Sequence, residues 1–131
     1  MWVRYGKPDL SMSCNGLLSG LVAITAPCAF VTAPAAVLIG LVAGVLCCFT
    51  VFFVERTLKV DDPVGAIAVH GANGAWGVLS LGLFADGKYG DGFNGVKGTV
   101  TGLLYGDTSQ FVAQVIGTAT NIVFVAAASF A

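Results

Sequence analysis

The sequence predicts an all-α membrane protein with four transmembrane helices, and three observations predict it. First, 56% of the 131 residues are hydrophobic and 10% are charged, whereas a soluble domain carries about a quarter charged residues. Such a chain cannot cover its surface with polar groups in water. Second, the charges fall into islands separated by long apolar gaps. Third, prolines divide the longest gap into pieces of membrane length.

The islands set the elements in order. Arg4, Lys7 and Asp9 open the chain, and no charge follows until Glu55, Arg56, Lys59, Asp61 and Asp62. A bilayer core of roughly 30 Å takes about 20 helical residues, so this gap holds two spans. Pro27 and Pro34 in "TAPCAFVTAP" punctuate it, giving helix one over 10–26 and helix two over 34–54. Helix three is expected over 63–85 and helix four over 109–131. Asp9 is placed to cap helix one. Asp62 is a good N-cap for helix three, with Pro63 at the first helical position, where a missing N–H costs nothing.

Positive charge sets the orientation. Arg4 and Lys7 precede helix one, and Arg56 and Lys59 lie between helices two and three; they are four of the six basic residues. Segments 1–9 and 55–62 are therefore expected in the cytoplasm. Loop 86–108 and the short 27–33 connection are expected outside, in a bacterial inner membrane.

Several function classes fall away. A net charge of −1 gives no basic surface for nucleic acid. Cys14, Cys28, Cys47 and Cys48 lack C-x-x-C spacing, so no zinc site is expected and they read as small buried thiols. The outer loop matches G-x-G-x-x-G over Gly90–Gly95. A dinucleotide fingerprint needs a strand before it and a helix after it, so glycine turns are the better reading. The loop aspartates lack the closing Glu of a calcium loop. No cofactor is implied. No apolar leader with a cleavage site follows Met1.

Small residues recur within the spans. Gly16 and Gly20, Gly40 and Gly44, and Gly71, Gly74 and Gly77 let helices approach closely, which is how helices associate in lipid.

His70, the only histidine, lies about two turns into helix three. An ionisable group at that depth is costly and normally faces a protein interior or a cavity. In its neutral form imidazole carries one donor and one acceptor, and both want partners. Asn73 at i+3 falls on roughly the same face, with Trp76 beyond. One reading is a narrow polar file in which His70 handles a small polar solute or a proton. The other is a packing histidine satisfied by a neighbouring helix. An enzyme built on His70 has no nucleophile or carboxylate partner at membrane depth, so no catalytic residue is assigned. In helix one, Asn15 is the most expensive polar residue to bury; it either lines the same path or makes an interhelical bond. Gln110 reads as interfacial, and Asn121 as an interhelical contact.

The runs "GKPDLSMSCNGLLSGLVAITAPC", "VLIGLVAGVLCC", "LKVDDPVGAIAVHGANGAWGVLSLGLFADG" and "SQFVAQVIGTATN" cover almost the whole chain. In them it resembles the second half of ammonium transporters, the Amt/Mep/Rh family. The resemblance implies an eleven-helix fold of two inverted halves, assembled as a homotrimer with one pore per subunit. It implies ammonium recruited outside, deprotonated near the pore top, and passed as ammonia by a histidine pair. His70 matches the tenth-helix member of that pair. Asn15 matches a polar pore-side residue near the inner end of the eighth helix. Thr25 matches a threonine near its outer end, and Ala66 a pore-exit position.

In family terms the chain runs from the tail of the seventh helix to within the eleventh. The partner histidine, the acidic residue behind the recruitment site, the aromatic gate and the tail that meets the regulatory PII protein belong to segments outside it. The chain is therefore expected to be a fragment. Either it is part of an ammonium pore completed by the missing helices, or it is a non-transporting helper that packs with a full-length subunit.

Overall fold

The computed structural model describes residues 6–95 and 97–130; Arg4 and the rest of residues 1–5 lie outside it. Among the described residues the elements are helical, with one isolated antiparallel bridge between Asp86 and Thr101. Helix α1 spans Leu10–Thr25. Helix α2 spans Ala33–Phe53 and continues as a π turn over Val54–Leu58. Helix α3 spans Ile67–Phe84, opening with a π segment over Ile67–Ala72 and becoming α-helical over Asn73–Phe84. Helix α4 spans Thr108–Phe130. The last three are long and apolar enough to cross a membrane, while α1 is a shorter apolar helix of 16 residues, about 24 Å long at 1.5 Å per residue.

Local chemistry fixes the ends. The Asp9 carboxylate accepts the Met12 N–H at 2.7 Å, a side-chain cap on α1. Pro34 sits in the first turn of α2, where it displaces no helical bond. The π turn after α2 ends at Lys59 in the left-handed conformation, φ 55°, and Arg56 stacks its guanidinium 5.0 Å above the Phe52 ring.

The start of α3 corrects the sequence expectation. Asp62 is the cap, but helical structure begins at Ala66 rather than Pro63. Pro63 and Val64 form a turn closed by the Gly65 N–H on the Asp62 carbonyl at 3.0 Å. Gly65 has φ +70°, a conformation only glycine adopts freely, and it interrupts the helix. The Asp62 carboxylate then reaches past the turn to accept the Ala66 and Ile67 N–H groups, both at 2.9 Å.

Helices α1, α2 and α3 form the core. Asn15 touches the α3 start and Ala23 touches Gly77, so α1 and α3 run in the same direction. Helix α2 runs against both: Ile39, near its start, accepts the Trp76 indole N–H at 3.2 Å, while Val51, near its end, packs with Ala68 and Val69. The interior divides into two apolar clusters. One holds Cys47, Val51, Ala68 and Val69. The other holds Ala23, Ile39 and Ala43, with Trp76 and Phe84 against it.

Helix α4 packs on the C-terminal half of α3, where a Cβ on Gly82 would lie 3.0 Å from the Phe111 Cα. None of its residues is buried. Leu17 (69%), Val45 (73%) and Phe124 (71%) are largely uncovered. Apolar faces of this extent belong in lipid or against further helices.

The glycine expectation is met at Gly77, and the cysteine expectation is corrected. Gly77 does permit close packing, since a Cβ there would meet the Ala23 carbonyl oxygen at 2.6 Å. Gly16, Gly20, Gly40, Gly44 and Gly74 have no such neighbour within 4 Å in this chain. Cys47 alone is buried; Cys48 is half-buried, and Cys14 and Cys28 are exposed.

Candidate functional site

The site is a groove between α3 and α4. His70, Gly71, Gly74, Ala75 and Val78 form one wall, and Gly117, Thr118, Asn121, Ile122, Val125 and Ala126 form the other; its volume is about 640 Å³. The glycines keep the wall low beside the imidazole. The ring of His70 is exposed and makes no hydrogen bond to another described residue. The residue lines the groove. Among the described residues of this chain no neighbouring helix satisfies the His70 ring; Asn73, the nearest polar residue along α3, is turned into the core.

The π segment explains which way His70 points. A π turn closes i→i+5 bonds and so holds more residues per turn than an α turn. The i+3 neighbour of His70 is thereby carried off its face. Asn73 is fully buried, and its Nδ2 donates to the Ala68 carbonyl at 2.8 Å. Trp76 turns toward α2. The expected file of His70, Asn73 and Trp76 is thus not formed; Gly74 and Val78 follow His70 along the groove instead. Single π turns inside helices are frequent at functional sites.

The other predicted site residues are spread along α1 and α3. Asn15 is half-buried, and its Nδ2 donates to the Val64 carbonyl at 3.2 Å. Ala66 is exposed at the α3 start. The Thr25 hydroxyl donates back to the Leu21 carbonyl at 2.8 Å, and Thr25 borders a separate cavity of about 350 Å³ with Phe30, Phe93 and Val100. None of these three lines the His70 groove.

Two further polar residues, Thr118 and Asn121, line the groove. Asn121 was expected to make an interhelical contact and instead lines the groove. Thr118 Oγ1 is buried without a hydrogen-bond partner among the described residues. A threonine in an apolar span is a weak signal, because its hydroxyl usually bonds back to its own helix; only the fold shows that this one does not.

The loop between α3 and α4 is built from turns. Gly87, Gly90, Gly92, Gly95, Gly98 and Gly106 all have positive φ, and Phe93 packs edge-on against Phe30 with centroids 5.6 Å apart. The segment around the G-x-G-x-x-G match is a turn followed by a single 3-10 turn, Phe93–Gly95. Among the described residues no three His, Cys, Asp or Glu side chains are grouped to hold a metal ion. At the entry to α4, Asp107 accepts the Ser109 N–H at 2.9 Å and the Ser109 hydroxyl. The Ser109 hydroxyl is the main cause that holds the Asp107 carboxyl below its ordinary value of 3.8; desolvation opposes it, and the Gln110 and Ser109 N–H groups add smaller lowering contributions.

Comparison with known proteins places these features in context. The family described as the Ammonium Transporter Family matches residues 1–131. The ammonium transporter Amt2 of Archaeoglobus fulgidus is 46% identical over 130 residues, covering 99% of this chain and 27% of that protein. An ammonium transporter of Bacillus subtilis is 34% identical over 129 residues, covering 98% of the chain and 30% of that protein. Ammonium transporter 1 member 1 of Solanum lycopersicum is 40% identical over 102 residues, covering 77% of the chain and 21% of that protein. The chain thus spans less than a third of the length of each of these relatives.

Proposed function

Because this chain belongs to the ammonium transporter family, we propose that it supplies one wall of a path carrying ammonium nitrogen across the membrane, with His70 on that wall. The observation that carries this reading is the exposed, unpartnered imidazole presented by a π turn into the α3–α4 groove. A bare cation is expensive to move through a dry path. Parting ammonium into ammonia and a proton removes much of that expense. A neutral imidazole then offers ammonia both an acceptor and a donor, while an ion with no proton to give is refused.

In this proposal His70 is half of a histidine pair whose other member lies on a helix outside this chain. The uncovered faces of α2 and α4, and the open glycines of α1 and α2, are where the remaining helices of the transporter pack, with the completed subunit forming a homotrimer. Asn15, Thr25 and Ala66 belong to the α1 and α3 surfaces along the same path. Loop 86–108 faces outward and segments 1–9 and 55–62 face the cytoplasm of a bacterial inner membrane, on the strength of Lys7, Arg56 and Lys59.

The second reading is a non-transporting helper that packs with a full-length subunit; the same uncovered apolar faces favour it. Methylammonium uptake separates the two. The chain reconstituted alone is expected to show none. Co-expressed with the preceding segment of a relative, it is expected to restore uptake. Failure to restore uptake, together with co-purification with a full-length relative, supports the helper. Robust uptake by the chain alone overturns both readings.

A further inference from the structure

We infer that Ser19 and Asn73 form a buried site for one bound water molecule, set in the three-helix core behind His70. The inference rests on two orphaned polar atoms and on the register of the helices that carry them. Both residues are fully buried, and neither Ser19 Oγ nor Asn73 Oδ1 has a hydrogen-bond partner among the described residues.

The register brings them to the same level. Helices α1 and α3 run in the same direction, and Ala23 lies against Gly77. One turn back on each helix are Ser19 and Asn73. The apolar clusters bracket that level from both sides. Ala43 and Trp76 belong to the cluster beyond it, while Cys47 and Val69 belong to the cluster before it. Ser19 and Asn73 are therefore the polar layer between two apolar ones.

The chemistry requires a third party. Asn73 Nδ2 donates to the Ala68 carbonyl, and flipping the amide would set Oδ1 against that carbonyl oxygen. The orientation is thus fixed, and Oδ1 remains an acceptor without a donor. The Ser19 hydroxyl can give or accept a bond. Yet it reaches neither Asn73 nor the preceding turn of its own helix. A molecule of one heavy atom that donates to Asn73 Oδ1 and bonds Ser19 Oγ satisfies both; buried waters characteristically bridge such groups. The bound water also braces the π turn, because Asn73 is the residue whose amide closes on Ala68 at the end of the segment that presents His70.

The test is proton-detected NMR of the whole chain in lipid, in ammonium-free buffer, with asparagine side-chain amides labelled. The Asn73 amide is assigned from Asn73→Asp. Wild type is expected to show a cross-peak between this amide and a long-lived water. Ser19→Ala is expected to lose most of its intensity, and Ser19→Thr to retain it. Absence of the cross-peak in wild type overturns the inference. So does an unchanged cross-peak in Ser19→Ala, or a cross-peak that appears only when ammonium is added.

Discussion

The Asn15 side chain donates to the Val64 carbonyl at 3.2 Å, across 49 residues of sequence. It fastens α1 to the turn from which α3 departs. The adjoining Gly65 leaves no room for anything larger: a Cβ there would lie 2.5 Å from Asn15 Nδ2.

Gly65→Ala therefore meets two obstacles, the left-handed backbone and the Asn15 amide. The backbone term alone is about 1–2 kcal/mol. Thermal unfolding of the chain in detergent is expected to show a lower midpoint. In an Asn15→Ala background the loss should shrink to the backbone term, a coupling readable from the four-protein cycle. Equal losses in both backgrounds would mean that Asn15 does not press on the glycine.

Gly77→Ala tests the α1–α3 contact. The added Cβ would sit 2.6 Å from a backbone oxygen of Ala23, which cannot swing aside as a side chain can. Overpacking of this kind costs about 1–3 kcal/mol. Gly74→Ala, with nothing within 4 Å, is expected to raise the unfolding midpoint slightly, because alanine is about 1 kcal/mol better than glycine inside a helix.

How much of this was legible in the sequence follows from which rules apply locally. The all-α membrane class was written in the charge islands and prolines, because lipid leaves few ways to satisfy a backbone. Asp9 and Asp62 were recognisable as caps from their residue type. The three-residue delay at α3 was not, since it depends on Gly65 taking a positive φ. The partition of His70, Asn73 and Trp76 was also hidden. The i+3 rule assumes α geometry, and the π segment Ile67–Ala72 carries no pattern that announces it. Thr118 carries no sequence signal because a threonine hydroxyl normally bonds within its own helix.

Asp107 gives a prediction in pH. Its carboxyl is lowered chiefly by the Ser109 hydroxyl, so the folded value lies below the unfolded one. The cap's contribution to the α4 entry is then present above the ordinary value of 3.8 and is lost as pH falls from there through the lowered value. Carbon-detected NMR of the Asp107 carboxyl should show titration below its ordinary value of 3.8, and Ser109→Ala should move it upward. No movement would assign the shift to the backbone N–H groups alone.

The central claim is that His70 lies on the path of ammonium nitrogen. The most direct measurement is methylammonium uptake by the chain co-expressed with the preceding segment of a relative, with and without His70→Ala, at matched membrane abundance. The claim predicts at least a tenfold loss of uptake in the variant. Uptake that persists undiminished in His70→Ala would contradict it.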